Sequence, residues 1–266
     1  MERKTDRRRV LLTQTIAVAT ALICWEMLPR VEALRSRTHL LDPFFISSPS
    51  RVATKLVDLA IGSKDTGAIW PFMVPTLEAA LVGIVVGLAL GAGAGLALGS
   101  SPFLSQVFRP FIIAMNAIPR IALIPIVVIL VGPTFQASIV ICVLVVFFVG
   151  FFNAYEGSRS VSPDLLNNAK VLGANSSQVM WHIRSRYALA WTLATLPLAA
   201  TFSVIAVVTG EFLTGYPGLG RLIVVASYSA DATLTWAVVV VLATMGLAIV
   251  GIADVLKQRL LHWWAR

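Results

Sequence analysis

The sequence predicts an all-α fold, a polytopic transmembrane helical bundle of about six spans. Hydrophobic residues make up 58% of the 266-residue chain and charged residues only 13%, about half of the roughly 25% found in soluble domains. The apolar residues are also gathered into runs of about 20, the length that crosses a bilayer as a helix. With only two cysteines and so much apolar content, the composition excludes a disordered, a collagenous and a disulfide-stabilised chain.

Six apolar runs are long enough to span the membrane. They are Val10–Leu28, Leu77–Leu98, Phe111–Val131, Ala137–Ala154, a stretch from Ala188 to about Leu213, and Trp236–Leu256. The first run is longer than the core of a signal peptide, which has about 7–15 residues, and no clear cleavage site follows it. We therefore expect an uncleaved helix over residues 10–28, followed by a transmembrane core over residues 76–256.

Basic residues predict the orientation of these spans. With the N-terminus inside, 13 Lys and Arg residues fall in cytoplasmic segments and seven in external ones. This predicts a multi-pass protein of the bacterial inner membrane with cytoplasmic termini (residues 1–9 and 257–266), an external loop (29–75) and a cytoplasmic loop (155–187). The net charge of +8 then follows from topology and lipid contact. We expect the lipid bilayer, and no nucleic acid, as a partner.

The external loop contains a predicted amphipathic helix. Ser48 can cap its first turn, and Pro49 suits its first position. Val52, Leu56 and Leu59 then share one face. Three arrangements of that face stay open: it lies on the membrane surface, it docks on the spans, or it only anchors the loop.

Glycine recurs at every fourth residue of the second span. The stripe consists of Gly83, Gly87, Gly91, Gly95 and Gly99. A stripe without Cβ atoms lets another helix approach closely in lipid, where no hydrophobic effect draws helices together. A four-residue step overshoots the helical turn of 3.6 residues by about 40°, so the stripe winds around the helix and favours an oblique crossing. We predict that these five glycines are helix-packing residues.

The third span is interrupted by Asn116, Pro119, Arg120 and Pro125. Proline removes an intrahelical hydrogen bond, so the pair should break or kink the helix, which at membrane depth is tolerated only against protein or water. An arginine at that depth is costly and indicates a functional site, which makes Arg120 a candidate for a transport pathway or gate. The alternative is that the span begins nearer Arg120 and that the guanidinium reaches the cytoplasmic headgroups.

Two carboxylates lie near span ends. Glu26, at the outer end of the first span, is expected to be an interfacial group rather than a site. Glu211, near the end of the fifth span, precedes the glycine- and proline-rich residues 214–220. A turn of this kind at membrane depth would leave backbone groups free beside a carboxylate. Glu211 is therefore the second pathway or gating candidate, with a re-entrant turn of purely structural use as the alternative.

Several kinds of chemistry have no signal in the sequence. There is no G-x-x-x-x-G-K-[ST] phosphate-binding loop, since Gly62-Ser63-Lys64 has the wrong spacing. No His, Cys, Asp or Glu cluster has metal-ligand spacing, and no nucleophile–base pair lies in the membrane. We expect no enzymatic activity, catalytic residue, metal site or cofactor in this chain. An ion-coupled secondary transporter or channel acting alone is the alternative function, although almost no ionisable group lies mid-membrane to support it.

The cytoplasmic loop carries the most specific pattern. Helix-forming residues lead to Gly173, which suits a helix end at positive φ. Asn175 or Ser176 can then cap a second short helix that runs to about Ile183. From this chemistry alone, the two short helices form a docking surface for a partner.

These residues resemble the EAA loop of the permease subunits of ABC importers, which reads Glu-x-Ala-x-x-x-Gly and, about nine residues later, Ile-x-Leu-Pro. The matching positions are Ala169, Leu172, Gly173, Ala174 and Ile183. Asn167 stands in place of the usual glutamate, and Ser185-Arg186 in place of Leu-Pro. The order of other motifs over about residues 44–256 is similar to the nitrate, sulfonate and taurine branch. They are Ser48-Pro49-Ser50, Pro75-Thr76-Leu77, Ile118-Pro119-Arg120 with Pro125, Phe147-Phe148 with Asn153 and Gly157, and Glu211 with Gly218-Leu219-Gly220.

The resemblance implies a permease subunit of an ATP-driven importer. It would form the pathway for a small solute, expected to be an anion of the nitrate, sulfonate or taurine class, with a second permease subunit in a homodimer or a heterodimer. A cytoplasmic ABC ATPase dimer would bind ATP and Mg, and an extracytoplasmic solute-binding protein would deliver the solute to the external loop and the turn near Gly218. The expected ATPase-interface residues are Asn167, Ala169, Lys170, Leu172, Gly173, Ala174 and Ile183.

Overall fold

A computed structural model describes residues 7–27, 30, 46–62 and 67–262. Most of the predicted segment 1–9, residues 28, 29, 31–45 and 63–66, and residues 263–266 of the predicted C-terminal segment lie outside the described residues. The chain divides into two compact units. One comprises Met1–Trp70 and Leu222–Val241, and the other comprises Pro71–Arg221 and Leu242–Arg266.

The described residues form a succession of helices, which confirms the predicted fold class. The helices are α1 (Arg7–Met27), α2 (Pro49–Ile61), α3 (Trp70–Ser100), α4 (Pro102–Ala117), α5 (Ile124–Val131), α6 (Phe135–Arg159), α7 (Pro163–Val171), α8 (Ser185–Ala194), α9 (Leu196–Thr214), α10 (Leu219–Tyr228) and α11 (Ala232–Leu260). A 3-10 turn, Arg120–Leu123, lies between α4 and α5. Among these residues, five helices (α1, α3, α6, α9 and α11) are apolar and long enough to cross a membrane, and α4 with α5 makes a sixth if the bent pair is one span.

The third span differs from the single run predicted over Phe111–Val131. Its apolar helix begins earlier, at Pro102, and the axis turns by 89° at the break after Ala117. Ile118 at this break is extended (φ −68°, ψ 125°). Pro119 explains both features, because proline has no N–H to donate and disfavours a helical conformation in the residue before it. The prolines thus predict the break itself, whereas the earlier start at Pro102 and the angle come from the folded chain.

The glycine stripe of α3 lies against α6. A Cβ atom added at any of the five glycines would come too close to an atom of that helix. The pairs along the interface are Gly83 with Cys142, Gly87 with Val146, Gly91 with Phe147, Gly95 with Phe151, and Gly99 with Ser158. Residue numbers rise together along both helices, so α3 and α6 run parallel. The chain must therefore return between them, and the bent pair α4–α5 makes that return as a broken span.

Helices α8 and α9 pack on α6 and run antiparallel to it. Gly210 meets Ile141 near the start of α6, and Gly157 near its end meets Trp191. The predicted fifth span, Ala188 to about Leu213, is in fact divided at Thr195 between α8 and α9. The division follows from Pro197 in the first turn of α9, because proline has no N–H for the carbonyl four residues earlier.

The first unit contains the amphipathic helix predicted after Ser48. Ser48 caps α2, and Val52 and Leu59 on one face are 4% and 3% exposed. The carboxylate of Glu26, at the end of α1, accepts hydrogen bonds from the amide and hydroxyl of Ser50 at 3.1 and 3.0 Å. The helix is thus present as predicted, with its apolar face buried and its first turn bonded to the end of α1. Glu26 anchors the start of α2.

Candidate functional site

The break between α4 and α5 borders a cavity of about 400 Å³. This volume lies within the roughly 300–1,000 Å³ of small-molecule sites. The lining residues are Asn116, Ala117, Ile118, Pro119, Arg120, Ile121, Val145, Phe202, Ile205 and Ala206. The first six belong to the break, and the others come from α6 and α9. The lining side chains are apolar apart from Asn116 and Arg120. We call this space the break cavity.

Arg120 is the only cation of the break cavity lining. It is half-buried, and its Nε atom is buried without a hydrogen-bond partner. One terminal nitrogen donates to Asn116 Oδ1 at 3.4 Å, a long hydrogen bond, and the guanidinium lies over the Phe148 ring at 5.4 Å from its centroid. Within the described part of the chain, no carboxylate pairs with this guanidinium. Its unused N–H groups therefore suit an anion, the ligand that arginine binds most strongly.

Glu211 occupies a different setting. Its side chain is 1% exposed. The Thr76 hydroxyl donates to one carboxylate oxygen at 2.7 Å, and the Gly220 amide donates to the other at 2.7 Å. The same hydroxyl accepts from the amide of Leu219 at 3.0 Å. Glu211 and Thr76 thus fix the backbone of residues 219 and 220 to α3.

Glycine is required beside this carboxylate. A Cβ atom at Gly218 would overlap the Glu211 carboxyl group, and one at Gly220 would lie 2.6 Å from the Val208 carbonyl oxygen. The spacing of Glu211, Gly218 and Gly220 in the sequence therefore reflects one closely packed turn. Glu211 does not line the break cavity, so the structure does not bring the two pathway candidates, Arg120 and Glu211, into one site.

The predicted docking residues begin within α7 and continue beyond it. We call Asn167–Ile183 the docking segment. At the end of α7 the amide of Ala174 donates to the Ala169 carbonyl and the amide of Gly173 to the Lys170 carbonyl, each at 2.9 Å. These two bonds form a Schellman motif. Gly173 has a φ of +83°, and an added Cβ would meet nothing within 4 Å. Backbone conformation alone therefore favours glycine at this position.

The second helix of the docking segment begins as predicted but does not end near Ile183. Asn175 and Gln178 form a reciprocal capping box at 2.8 and 2.9 Å. The chain then continues through the helical turn Ser176–Gln178 and a π-helical turn, Val179–Arg184, directly into α8. No glycine or proline lies between residues 176 and 194. The second helix therefore extends to Ala194, because nothing in this stretch breaks it.

The docking segment exposes large apolar side chains. Val171, Leu172 and Trp181 are 86%, 87% and 67% exposed, although they lie outside the apolar spans. Such residues indicate a surface that another protein covers. Val171 and Trp181 were not among the predicted interface residues. They could have been found in the sequence as large apolar residues in a loop between spans. Of the predicted residues, Asn167, Lys170, Leu172 and Gly173 are exposed, and Ala169, Ala174 and Ile183 are half-buried.

Comparison with known families shows which family the chain belongs to. Residues 83–262, more than half of the chain, match the family described as the binding-protein-dependent transport system inner membrane component. The chain belongs to this family. It is a permease of import-type ABC transporters, which confirms the predicted family and class. Membership implies ATPase and substrate-binding-protein partners and a location in the membrane.

Relatives extend the comparison over most of the permease. It is 27% identical to the riboflavin transport system permease protein RibX of Chloroflexus aurantiacus, over 84% of this chain and 81% of that protein. It is 24% identical to the nitrate import permease protein NrtB of Synechocystis sp., over 79% and 74%. A crystal structure of an amino acid ABC transporter with histidines has the same fold, with a TM-score of 0.58, 15% identity, and coverage of 78% of this chain and 96% of that one. The nitrate permease is consistent with the predicted branch, and the named solutes range from a vitamin to an inorganic anion.

Proposed function

We propose that this permease carries a small anion, of the nitrate or sulfonate class, past the break between α4 and α5. The observation that carries the proposal is the half-buried Arg120, whose Nε atom lacks a partner beside a cavity of about 400 Å³. A charge with unused donors in an otherwise apolar lining is costly without an anionic ligand. The nitrate permease among the relatives supports the same solute class.

The docking segment binds the cytoplasmic ATPase in this proposal. Three exposed apolar side chains, Val171, Leu172 and Trp181, would be covered in that complex. The Schellman turn at Gly173 fixes the angle between α7 and the following helix. The end of the molecule that bears the docking segment then faces the cytoplasm, in line with the excess of basic residues there. The opposite end receives the solute from a binding protein, and a second permease subunit completes the pathway.

Two packed helices connect the docking segment to the break cavity. Residues 176–194 form one helical run, and Trp191 in this run packs on Gly157 of α6. Helix α6 in turn supplies Val145 to the break cavity and Phe148 to the face of Arg120. A displacement of the docked segment by the ATPase would therefore reach the cavity through two packed helices. Such coupling requires two alternative arrangements of the bundle, which the partners bias from either face.

The test is uptake into proteoliposomes that contain the permease, its ATPase and its binding protein. Labelled nitrate, taurine and riboflavin are offered separately. We expect ATP-dependent uptake of one of the sulfonate or nitrate solutes and a loss of about tenfold or more in Arg120→Gln, because a charged hydrogen bond contributes about 1.5–3 kcal/mol. Arg120→Lys should keep part of the activity, since it keeps the charge.

The matched control is Arg259→Gln, which removes an exposed arginine at the end of α11. It should leave uptake unchanged. Transport of riboflavin but of neither nitrate nor taurine would contradict the solute class. Uptake that persists without the ATPase would contradict the mode of energy coupling.

A further inference from the structure

A second cavity lies beside the C-terminal ends of α3 and α6, and it shares no residue with the break cavity. It measures about 560 Å³. The lining residues are Gly99, Pro102, Ser105, Gln106, Arg109, Ile112, Ile113, Tyr155, Glu156, Arg159 and Arg184. The lining thus combines one face of α4 with the last turn of α6 and the π-helical turn. We call it the arginine cavity.

The arginine cavity is electropositive. Three arginines and one glutamate line it, so the side chains carry a net charge of +2. The first turn of α4, which is capped by Ser101, adds the positive end of a helix dipole. The described residues provide no hydrogen-bond acceptor or carboxylate for Arg109. Arg159 donates to the Tyr155 hydroxyl at 2.7 Å, and its guanidinium lies 5.3 Å from the centroid of the Tyr155 ring. Since a guanidinium has five N–H groups, both arginines keep donors for a ligand.

Arg184 ties the arginine cavity to the docking segment. Its guanidinium donates to the carbonyls of Gly99 and Ser158 at 3.3 and 3.4 Å, which lie at the ends of α3 and α6. Partial burial lowers the pKa of Arg184 from its ordinary value, but an arginine stays protonated at neutral pH. Arg184 directly follows Ile183, the last residue of the docking segment. A ligand in this cavity would therefore contact α4, α6 and the residue that directly follows the docking segment.

We propose that the arginine cavity binds the phosphate group of an anionic phospholipid, with Arg109 and Arg159 as the phosphate ligands. Helix α4 explains why the source is a lipid rather than a free anion. Ile113, an apolar lining residue on the same face of α4 as Arg109, is 62% exposed. One phospholipid satisfies both features, with its phosphate in the cavity and an acyl chain on Ile113. Basic pockets between spanning helices on the cytoplasmic side recognise lipid headgroups in this way.

The test uses the purified full-length permease in a neutral detergent, with the number of bound lipids measured by native mass spectrometry. Phosphatidylglycerol, phosphatidylcholine and inorganic phosphate are added separately. We expect phosphatidylglycerol to bind and to raise the unfolding temperature, as any ligand of the folded state does. Phosphatidylcholine and inorganic phosphate should do neither at the same concentration.

Arg109→Gln combined with Arg159→Gln should weaken phosphatidylglycerol binding by about tenfold or more, as expected for the loss of charged hydrogen bonds. Arg259→Gln, outside the cavity, should bind as the unaltered chain does. If the double variant does not fold, Arg109→Gln alone serves, because Arg109 is exposed and its loss leaves no buried group unpaired. Equal binding of phosphatidylglycerol by the cavity variants would overturn the proposal. Equal stabilisation by inorganic phosphate would also overturn it, since the ligand would then be a free anion.

Discussion

The Thr76 hydroxyl donates a hydrogen bond to the carboxylate of Glu211 at 2.7 Å, across 135 residues of sequence. The pair joins α3 to α9, and it also holds the amides of Leu219 and Gly220. Glu211 is buried in this network, at 1% exposure. Among the described residues, the Thr76 hydroxyl and the Gly220 amide are the partners of its carboxylate oxygens, so the carboxylate closes a turn rather than bordering the break cavity.

Thr76→Val should destabilise the permease. It removes one donor to the carboxylate and the acceptor for the Leu219 amide, and a buried group left unpaired costs about 1–3 kcal/mol. The measurement is the unfolding midpoint of the purified protein. Thr209→Val is the matched control, because the exposed Thr209 hydroxyl bonds only to the Ile205 carbonyl of its own helix. Equal midpoints for the two variants would show that the pair is not a stabilising contact.

Gly91→Ala should separate α3 from α6. The added Cβ would overlap the Phe147 carbonyl oxygen and lie 2.8 Å from the Phe151 amide, and backbone atoms cannot turn aside. Overpacking of this kind costs about 1–3 kcal/mol, so the unfolding midpoint should fall. Gly93→Ala provides the control on the same helix, since a Cβ there meets nothing within 4 Å. That variant should be neutral or slightly stabilised, because alanine favours helix by about 0.5–1 kcal/mol.

Gly173→Val should weaken the complex with the ATPase. The φ of +83° disfavours a branched side chain, while the open space around Gly173 excludes a steric clash as the cause. Gly173→Asn should keep most of the binding, because asparagine tolerates this conformation. Co-purification of the ATPase with each variant measures the effect. Full recovery of the ATPase with the valine variant would show that docking does not depend on the turn at Gly173.

The periodicity of the sequence identifies which face of a helix is closely packed, but not which other helix packs against that face. The repeat from Gly83 to Gly99 marks a close-packed stripe, but nothing in that repeat specifies α6 as its partner. The partner depends on the tertiary packing of α3 against α6, which the repeat does not encode. The sequence indicates a break or kink at Pro119, whereas the angle of 89° is set by packing.

The site was predictable to different degrees. Arg120 stands out in the sequence as an arginine among apolar residues, and the structure places it beside a cavity. Glu211 stands out as a carboxylate among apolar residues, and the glycine-rich turn after it is visible in the sequence. Its contact with Thr76 is not, because 135 residues separate the two. The arginine cavity had no signal either, because Arg109, Arg159 and Arg184 come from separate elements and meet only in the folded chain.

Reactivity of two introduced cysteines tests most directly whether the solute passes the break cavity. Cys24 is exposed and is replaced by serine, whereas the buried Cys142 is kept. Ile118→Cys and Ile129→Cys are then compared; they are 42% and 82% exposed, and only Ile118 lines the cavity. The probe is an anionic methanethiosulfonate, applied to the complete importer in proteoliposomes.

We expect the cysteine at position 118 to react faster, to lose that advantage in Arg120→Gln, and to be protected by the transported anion. The cysteine at position 129, on the apolar face of α5, should react slowly despite its greater exposure, because a charged reagent does not enter lipid. Faster reaction at position 129, or an unreactive cysteine at position 118, would contradict a solute pathway beside Arg120.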